Sequence, residues 1–486
     1  MLMFDRLSAP IREEILLLLA RPGLSDPEYT FNSPMDYFKI HWTDSGADAT
    51  TLAYAQSIAD IMDYSWTIQC DSMGYFEPPP DKYAGGDDRY DIYLMLLSGG
   101  TPGYCSSGGE YKPPDSTHSC SASYIAIRTG MGMNLCKATG SHEFQHAVQM
   151  SYDYQEPTWF MENCAVWMED MVYDDINDYI GYVGGGDNPI RKPWYDIRSQ
   201  AMYWYGGCIY PRYMWLRMDE YAVREVWELC AETIGINTLL AQQDMYANHG
   251  MTWEQGFMEY GCWRWFVKTH WYEGCGMFDD EATLWGSPYV FSYHNHTSLP
   301  ASGDDGIYDP DRFGIVWIKV DLENYQDGWI EMAFDGRNGF EWNMGTILWL
   351  ESGDHEYVWY DCDPTTGDIN VAVPGAGWDY VIFLVAFMGE TSVTHYYEYN
   401  ITYETGIEGG VITPAELDLT VSANPLTAGG EITMDIPAAG AARLFDGTVE
   451  AGNHAVSYNG ELLQGTYFLR LYAGNQIKTI KVVLAR

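Results

Sequence analysis

Residues 141–170 read SHEFQHAVQMSYDYQEPTWFMENCAVWMED and hold the most chemically suggestive spacing in the chain. His142 and His146 stand four apart, with Glu143 beside the first. On a helix, positions i and i+4 differ by about 40° in direction and about 6 Å along the axis. Two such imidazoles can meet one metal ion, and Glu143, about 100° round from His142, reaches a water held by that ion. The chemistry of such a set is hydrolysis: the metal activates water and the carboxylate takes its proton. Zinc in that role needs three protein ligands and one open position. Glu162, sixteen positions after His146, is the natural third ligand, because it opens a second helical stretch after the loop SYDYQEPT. Its competitors are Glu156, in the loop, and Glu169, two turns further on and nearly on the same face. Glu169 suits a supporting role, accepting a hydrogen bond from a ligating histidine, with Asp170 as its alternate. The plainer reading is a helix with two histidines on one face and a surface carboxylate at Glu162, with Trp159, Phe160 and Trp167 packing the core.

The elements that must position these residues are legible in outline. Lys137 to Asp153 reads as one helix and Thr158 to Val172 as another. Upstream, TLAYAQSIADIMDYSWTIQ has helical periodicity, and RYDIYLMLL and SYIAIRT are rich in the aromatic and branched residues of strands. Downstream, QAMYWYGGCIYPRYMWLRMDEY and VREVWELCAETI continue the helical character. After about residue 285 the pattern becomes short strands between turn residues, among them FGIVWIKVDLE, GTILWLE and YVIFLVAF, which argues an all-β sandwich. GIEGGVITPAE reads as a linker, followed by a last run of strands. The expected organisation is a pro-region or linker at 1–34, a mixed helix and strand domain at 35–285, a β-sandwich at 286–406, a linker at 407–416 and a small Ig-like β domain at 417–486.

Composition narrows the classes of function. Of 486 residues, 25 are Lys or Arg and 69 are Asp or Glu, so the net charge is 25 − 69 = −44. Repulsion at long range opposes binding to nucleic acid or to an anionic membrane, and neither is expected as a partner. No stretch is long and apolar enough to span a bilayer: the run Ile15 to Ala20 is six residues, follows two glutamates and lacks the order of a signal peptide. An export signal therefore stands outside this sequence if the protein is exported. Nine of the ten cysteines lie between Cys70 and Cys275, with no CxxC pair. Pairs such as Cys105 with Cys120, or Cys262 with Cys275, suit the disulfides of an exported protein; buried thiols are the alternative. GGDDRYD, YDDINDY and SGDDGIYDPD carry enough carboxylate for calcium (Ca2+), but none has EF-hand spacing, and solvated loops are the simpler reading.

With these residues in view, the active segment resembles the gluzincin metallopeptidases, the clan of thermolysin and the zinc aminopeptidases. WFMEN is similar to their W-L-x-E-G third-ligand segment. The gap from the second histidine is a few residues shorter here, and Asn163 and Cys164 replace a glycine-led pair. Over most of the chain the sequence resembles a family of secreted bacterial metalloproteases carrying YFKIHW, DSMGYFEPPPD, DDRYDIYLML, HEFQHAVQ, WFMENCAVWMED and NDYI in this order. The resemblance implies a multidomain α+β protein with a zincin-like catalytic domain, Zn2+ on His142, His146 and Glu162, Glu143 as the base, and a protein or peptide substrate. MYWYGGCIYPRY is similar to a Y-x-K-G segment whose tyrosine stabilises the oxyanion. That puts Tyr203 in the role and Tyr205 in the lysine's place; a packing tyrosine is the alternative, and His249 a weaker candidate. In the resembling enzymes the strand at SYIAIRT forms the edge along which substrate lies; an internal strand is the alternative.

The last unit resembles the C-terminal sorting domain of type IX secretion cargo, on SANP, LLQGTYFLRLYAG and IKTIKVVLAR. This implies export machinery as a partner and a place outside a bacterial cell, secreted or at its surface. No G-x-M-E-N-type exopeptidase signature precedes the helix, so the resemblance favours a zinc endopeptidase. The other class of function is a zinc-binding surface protein that adheres to glycan or protein with little or no peptidase activity.

Overall fold

A computed structural model describes residues 21–405, apart from 82, 111–118, 201, 233–236, 307–309 and 390–395, and beyond 405 only a set of strands. The first twenty residues of the expected pro-region, the 407–416 linker and the SANP segment lie outside the described residues. The chain divides into two units, Met1–Tyr403 and Glu404–Arg486.

The first unit begins with a mixed sheet of five strands: β1 (Glu28–Asn32), β2 (Phe38–Thr43), β3 (Tyr90–Met95), β4 (Gly103–Glu110) and β5 (Ser121–Arg128). Their order is β1-β2-β3-β5-β4. β2, β3 and β5 run parallel, while β1 and β4 close the two edges antiparallel. Two sequence expectations change here. Residues 28–32, inside the stretch read as pro-region or linker, pair along their whole length with β2. SYIAIRT forms β5, which is internal because it is hydrogen-bonded on both sides; the edge is β4, whose GYCSSGGE has none of the branched residues that mark a strand in sequence.

Nine α-helices are described: α1 (Leu52–Trp66), α2 (Met133–Tyr152), α3 (Thr158–Val172), α4 (Ile180–Gly184), α5 (Met202–Gly206), α6 (Ile209–Arg217), α7 (Ala222–Glu232), α8 (Thr238–Asn248) and α9 (Trp253–Trp263). Thr51 caps α1 by accepting from the Tyr54 amide at 3.1 Å. Ala55, Ile58, Ala59 and Met62 then form a buried stripe. α2 is buried on nearly every side: Phe144 meets Phe38 and Trp66 beneath the sheet, Ala147 and Val148 are fully buried, and Tyr152 meets Trp227 of α7. A helix enclosed in this way holds its polar residues in fixed positions, which a catalytic constellation requires.

The remaining strands of this unit form a sandwich. One sheet has the order β11-β10-β13-β8-β6, the other β12-β9-β14-β7. Here β6 is Asn295–His296, β7 Ala301–Asp304, β8 Gly314–Asp321, β9 Gly328–Gly336, β10 Trp342–Leu350, β11 Asp354–Asp361, β12 Ile369–Pro374, β13 Tyr380–Phe387 and β14 Tyr397–Thr405. In β13, Val381, Phe383, Val385 and Phe387 point into the sandwich, whereas Ile382, Leu384 and Ala386 join the core of the helices. Both faces are covered, so YVIFLVAF is apolar throughout instead of alternating. α9 packs on this outer face, and the core of the helical part continues through Trp265, Trp317 and Trp349. The boundary expected at residues 285 and 286 therefore runs beside a shared core.

None of the ten cysteines, all among the described residues, is in a disulfide. Cys105 and Cys120, and Cys262 and Cys275, the pairs that suited a disulfide, are not bridged; the alternative of buried thiols fits instead, with nine of the ten side chains buried. The second unit holds β15 (Asp418–Thr420), β16 (Gly430–Ile436), β17 (Gly440–Gly447), β18 (Asn453–Ala455), β19 (Gly465–Ala473) and β20 (Gln476–Leu484). Four of them form an antiparallel sheet in the order β17-β16-β19-β20. The chain as a whole is α+β, with two mixed sheets, the second through its parallel β6–β8 pair, and antiparallel sheets besides.

Candidate metal centre

α2 carries His142, Glu143 and His146, and α3, entered after a short loop, presents Glu162 in its second turn. Glu162 Oε2 lies 3.3 Å from His142 Nε2 and 3.6 Å from His146 Nε2. One ligating atom from each of the three falls within 4.8 Å of the others. Zinc bonds of about 2.0–2.1 Å in a tetrahedron give edges of about 3.3–3.4 Å, close to the two distances from Glu162. Glu162 Oε2 is buried and has no hydrogen-bond partner. A buried carboxylate oxygen aimed between two imidazole nitrogens, with no donor of its own, fits a cation.

The far nitrogens of both rings are occupied. His142 Nδ1 meets Glu169 Oε1 at 2.7 Å, and His146 Nδ1 meets Gln149 Oε1 at 2.8 Å. Gln149 is held in turn, donating from Nε2 to the Met161 carbonyl at 2.9 Å. Each contact turns Nδ1 toward a side-chain oxygen and aims Nε2 at Glu162, the orientation that metal-ligating histidines need. Glu169 is thus the partner of His142. Asp170 instead pairs with Arg212 at 2.6 Å, and Glu156 accepts from the Thr238 amide at 2.7 Å. Gln149 was not anticipated; its signal in the sequence is its place one turn after His146 on the same helix.

The electrostatics follow from three carboxylates around two imidazoles in a dry place. Burial pushes the His142 ring down, but its contacts with Glu162 and Glu169, with Glu143 nearby, outweigh this and hold it well above the ordinary value. Burial pushes Glu162 up, and the two histidines outweigh that, holding it well below the usual carboxylate range. Glu169 is pushed up by burial to about 7, against the pull of His142. The centre draws positive charge, which a divalent cation supplies.

Glu143 is 7% exposed and faces the first residue of β4. A Cβ on Gly103 would lie 2.6 Å from Thr139 Cγ2 and 3.1 Å from Glu143 Cγ, so only glycine lets the bare edge backbone approach this carboxylate. Among the described residues, no strand pairs with the outer side of β4.

Tyr203 is not brought to the centre. Its hydroxyl donates to the carbonyls of Lys192 and Tyr195 at 3.3 and 3.4 Å, and the residue is 1% exposed. Tyr205 stands there instead, its ring stacked on His142 with centroids 6.0 Å apart and planes 13° from parallel. Residues two apart on α5 differ in direction by about 200°, so only one of the pair can face the metal residues. Burial, then the charges of Glu162, Glu143 and Glu169, push the Tyr205 hydroxyl up to about 12, which keeps it a proton donor. His249 is bonded to Glu225 at 3.0 Å.

No family model matches the chain, and no curated protein matches it. Among solved structures it is similar to the M60 catalytic domain with the CBM51-1 and CBM51-2 domains from Clostridium perfringens ZmpB. The two are 11% identical over 99% of this chain and 70% of that one, with a TM-score of 0.27. A likeness at that score carries no argument about fold or activity.

A second group of carboxylates, Asp170, Asp174 and Glu281, comes together among the described residues. The Arg212 guanidinium reaches Asp170 at 2.6 Å and Glu281 at 2.8 Å, so an arginine already supplies the cation there. Of the three stretches considered for calcium, only YDDINDY contributes to this group, through Asp174.

Proposed function

We propose that this chain is a zinc-dependent endopeptidase acting on proteins outside the cell. The observation that carries the reading is the convergence of His142 Nε2, His146 Nε2 and the orphaned Glu162 Oε2, with Glu169 and Gln149 holding the rings from behind. A zinc ion in this set supplies a Lewis acid that lowers the pKa of water and polarises a peptide carbonyl. Glu143, one residue along from the first ligand, accepts the proton of the attacking water and returns it to the leaving amine. Tyr205 has the place and the proton to donate to the oxyanion that forms at the scissile carbonyl. The open edge of β4 supports a peptide held by backbone hydrogen bonds, with Gly103 bringing it close to Glu143.

No helix among the described residues is long and apolar enough to cross a membrane. We assign the second unit, by its resemblance to sorting domains, to recognition by export machinery. The rival reading is a zinc-bearing adhesion protein whose sandwich binds glycan or protein. A base beside the metal ligands is of no use to such a protein, and this favours the peptidase. The test is zinc content and casein hydrolysis of the purified full chain, with and without a chelator. One zinc per chain and chelator-sensitive cleavage are expected. Zinc without cleavage would leave the adhesion reading.

A further inference from the structure

Asn163 follows Glu162 on α3 and is 1% exposed. A buried amide costs free energy unless its hydrogen bonds are made, so its partners show what it does there. Its Nδ2 donates to the Trp204 carbonyl at 2.7 Å. That carbonyl lies in the last turn of α5 and also accepts from the Gly207 amide at 3.1 Å, so Asn163 and Gly207 meet on it. It is also the residue immediately before Tyr205.

The chain after Tyr205 is held from the same side. A Cβ on Gly207 would overlap the Asn163 amide, and one on Gly206 would overlap Asn188. Asn188 is fully buried, and its Nδ2 donates to the carbonyls of Tyr182, Val183 and Gly185 at 3.2, 3.2 and 3.0 Å. The Tyr182 ring packs on Tyr205 at 5.1 Å. Backbone on both sides of Tyr205 is therefore pinned to buried amides. One of these belongs to the helix that carries Glu162, and the other to the segment that supplies Tyr205 with its neighbouring ring. The pair of glycines in YWYGG is what allows the close approach.

We infer that Asn163 is a positioning residue, which fixes Tyr205 over His142 by clamping the Trp204 carbonyl and the Gly206–Gly207 turn to the helix of Glu162. The use made of Tyr205 in peptide hydrolysis rests on the function proposed above; the clamp itself does not. Because the clamp and Glu162 share a helix, any shift of α3 moves ligand and tyrosine together. Their separation then stays constant, as a donor to a developing charge requires.

The test combines a spectroscopic and a kinetic arm. Fluorotyrosine is placed at position 205, and separately at 203, in the full zinc-loaded chain. Asn163→Asp keeps the shape but turns a donor into an acceptor facing a carbonyl. Gly207→Ala, in case the first variant fails to fold, pushes the Asn163 amide away from the other side. The 19F line at 205 is expected to shift or broaden in either variant, while the line at 203 holds. An unchanged 205 line in both would overturn the clamp.

In casein hydrolysis, Asn163→Asp is expected to lower kcat by about tenfold with KM within about twofold and zinc content unchanged. Added to Tyr205→Phe it should cause no further loss, since both act through one hydroxyl. Additive losses would mark Asn163 as merely structural and defeat the inference. A parent protein that binds zinc but cleaves nothing would defeat the endopeptidase reading alone, and the fluorine lines would still decide whether Asn163 holds Tyr205.

Discussion

The amide oxygen of Gln149 meets His146 Nδ1 at 2.8 Å. The same side chain donates to the Met161 carbonyl, one residue before Glu162, so it ties the ring of one ligand to the backbone beside another. Gln149→Leu keeps the bulk and removes both bonds. Zinc affinity is expected to fall about 10–100-fold, the usual cost of losing a partner that orients a ligating histidine. Competition with a chelator of known affinity measures it. An affinity equal to that of the parent would mean that the packing of α2 alone orients His146.

Glu143 stands beside the metal residues without contributing to the group of three. Glu143→Gln is therefore expected to bind zinc as the parent does and to unfold at a similar temperature, while hydrolysis drops by about a hundredfold or more. Metal analysis and casein cleavage on the same preparation separate the two effects. Cleavage at the parental rate would remove Glu143 from the mechanism.

Tyr205 and Tyr203 make a matched pair. Tyr205→Phe removes a hydroxyl beside Glu162 and Glu143, and a loss of about 10–100-fold in kcat is expected from a missing oxyanion donor. Tyr203→Phe removes only long bonds to two carbonyls, so kcat should stay within about twofold, with about 1 kcal/mol lost from stability. The reverse pattern would restore Tyr203 to the role that the Y-x-K-G resemblance implied.

The contrast between these two tyrosines shows what the sequence could and could not convey. His142, Glu143 and His146 are legible because helical spacing alone determines which of them share a face. Glu162 needs only a second helix to return alongside the first. Tyr203 and Tyr205 are the same residue type in the same short helix, and only the rotation of α5, set by the Asn163 and Asn188 contacts, decides between them. β4 was missed for a related reason: GYCSSGGE is a strand by virtue of its pairing with β5, not by its own propensity. The sandwich was readable from its turns, but the uninterrupted apolar run of β13 said only that both faces were covered, not that the helices of the first part covered one of them.

Truncation after Thr405, where β14 ends, removes the second unit and leaves every residue of the metal centre. The truncated protein is expected to keep zinc and casein hydrolysis. In a bacterium with a type IX system it should remain inside the cell, because the resemblance to sorting domains lies in the part removed. Comparing medium, cell surface and interior for the two forms measures this. A truncated protein that reaches the outside at the full-length level would sink the sorting assignment.

Acid should weaken the sandwich through His294. This ring is fully buried, its Nδ1 2.8 Å from the Tyr399 hydroxyl and its Nε2 3.0 Å from that of Tyr397. His296 shares the Tyr399 hydroxyl at 2.8 Å. Burial, with the neighbouring His296 adding to it, pushes the His294 imidazole down to about 3, and burial lowers His296 as well. The folded protein therefore holds His294 neutral where the unfolded chain, with a histidine pKa of about 6.5, takes up a proton. Stability is fully present above pH 6.5 or so and is lost as pH falls from there toward 3. At pH 5 the loss from His294 alone is about 2 kcal/mol, since each unit below the unfolded value costs about 1.4 kcal/mol. His294→Gln keeps a donor and an acceptor for the two tyrosines but cannot titrate. Its stability at neutral pH should be lower, because the amide fills the ring's space poorly, yet it should fall less between pH 7 and pH 5. Urea unfolding of parent and variant at both values, followed by tryptophan fluorescence, gives the comparison. Equal losses in the two proteins would place the acid sensitivity elsewhere, with the buried Glu156 and Glu169 excluded on sign, because carboxylates raised by burial make the fold more stable, not less, as pH falls.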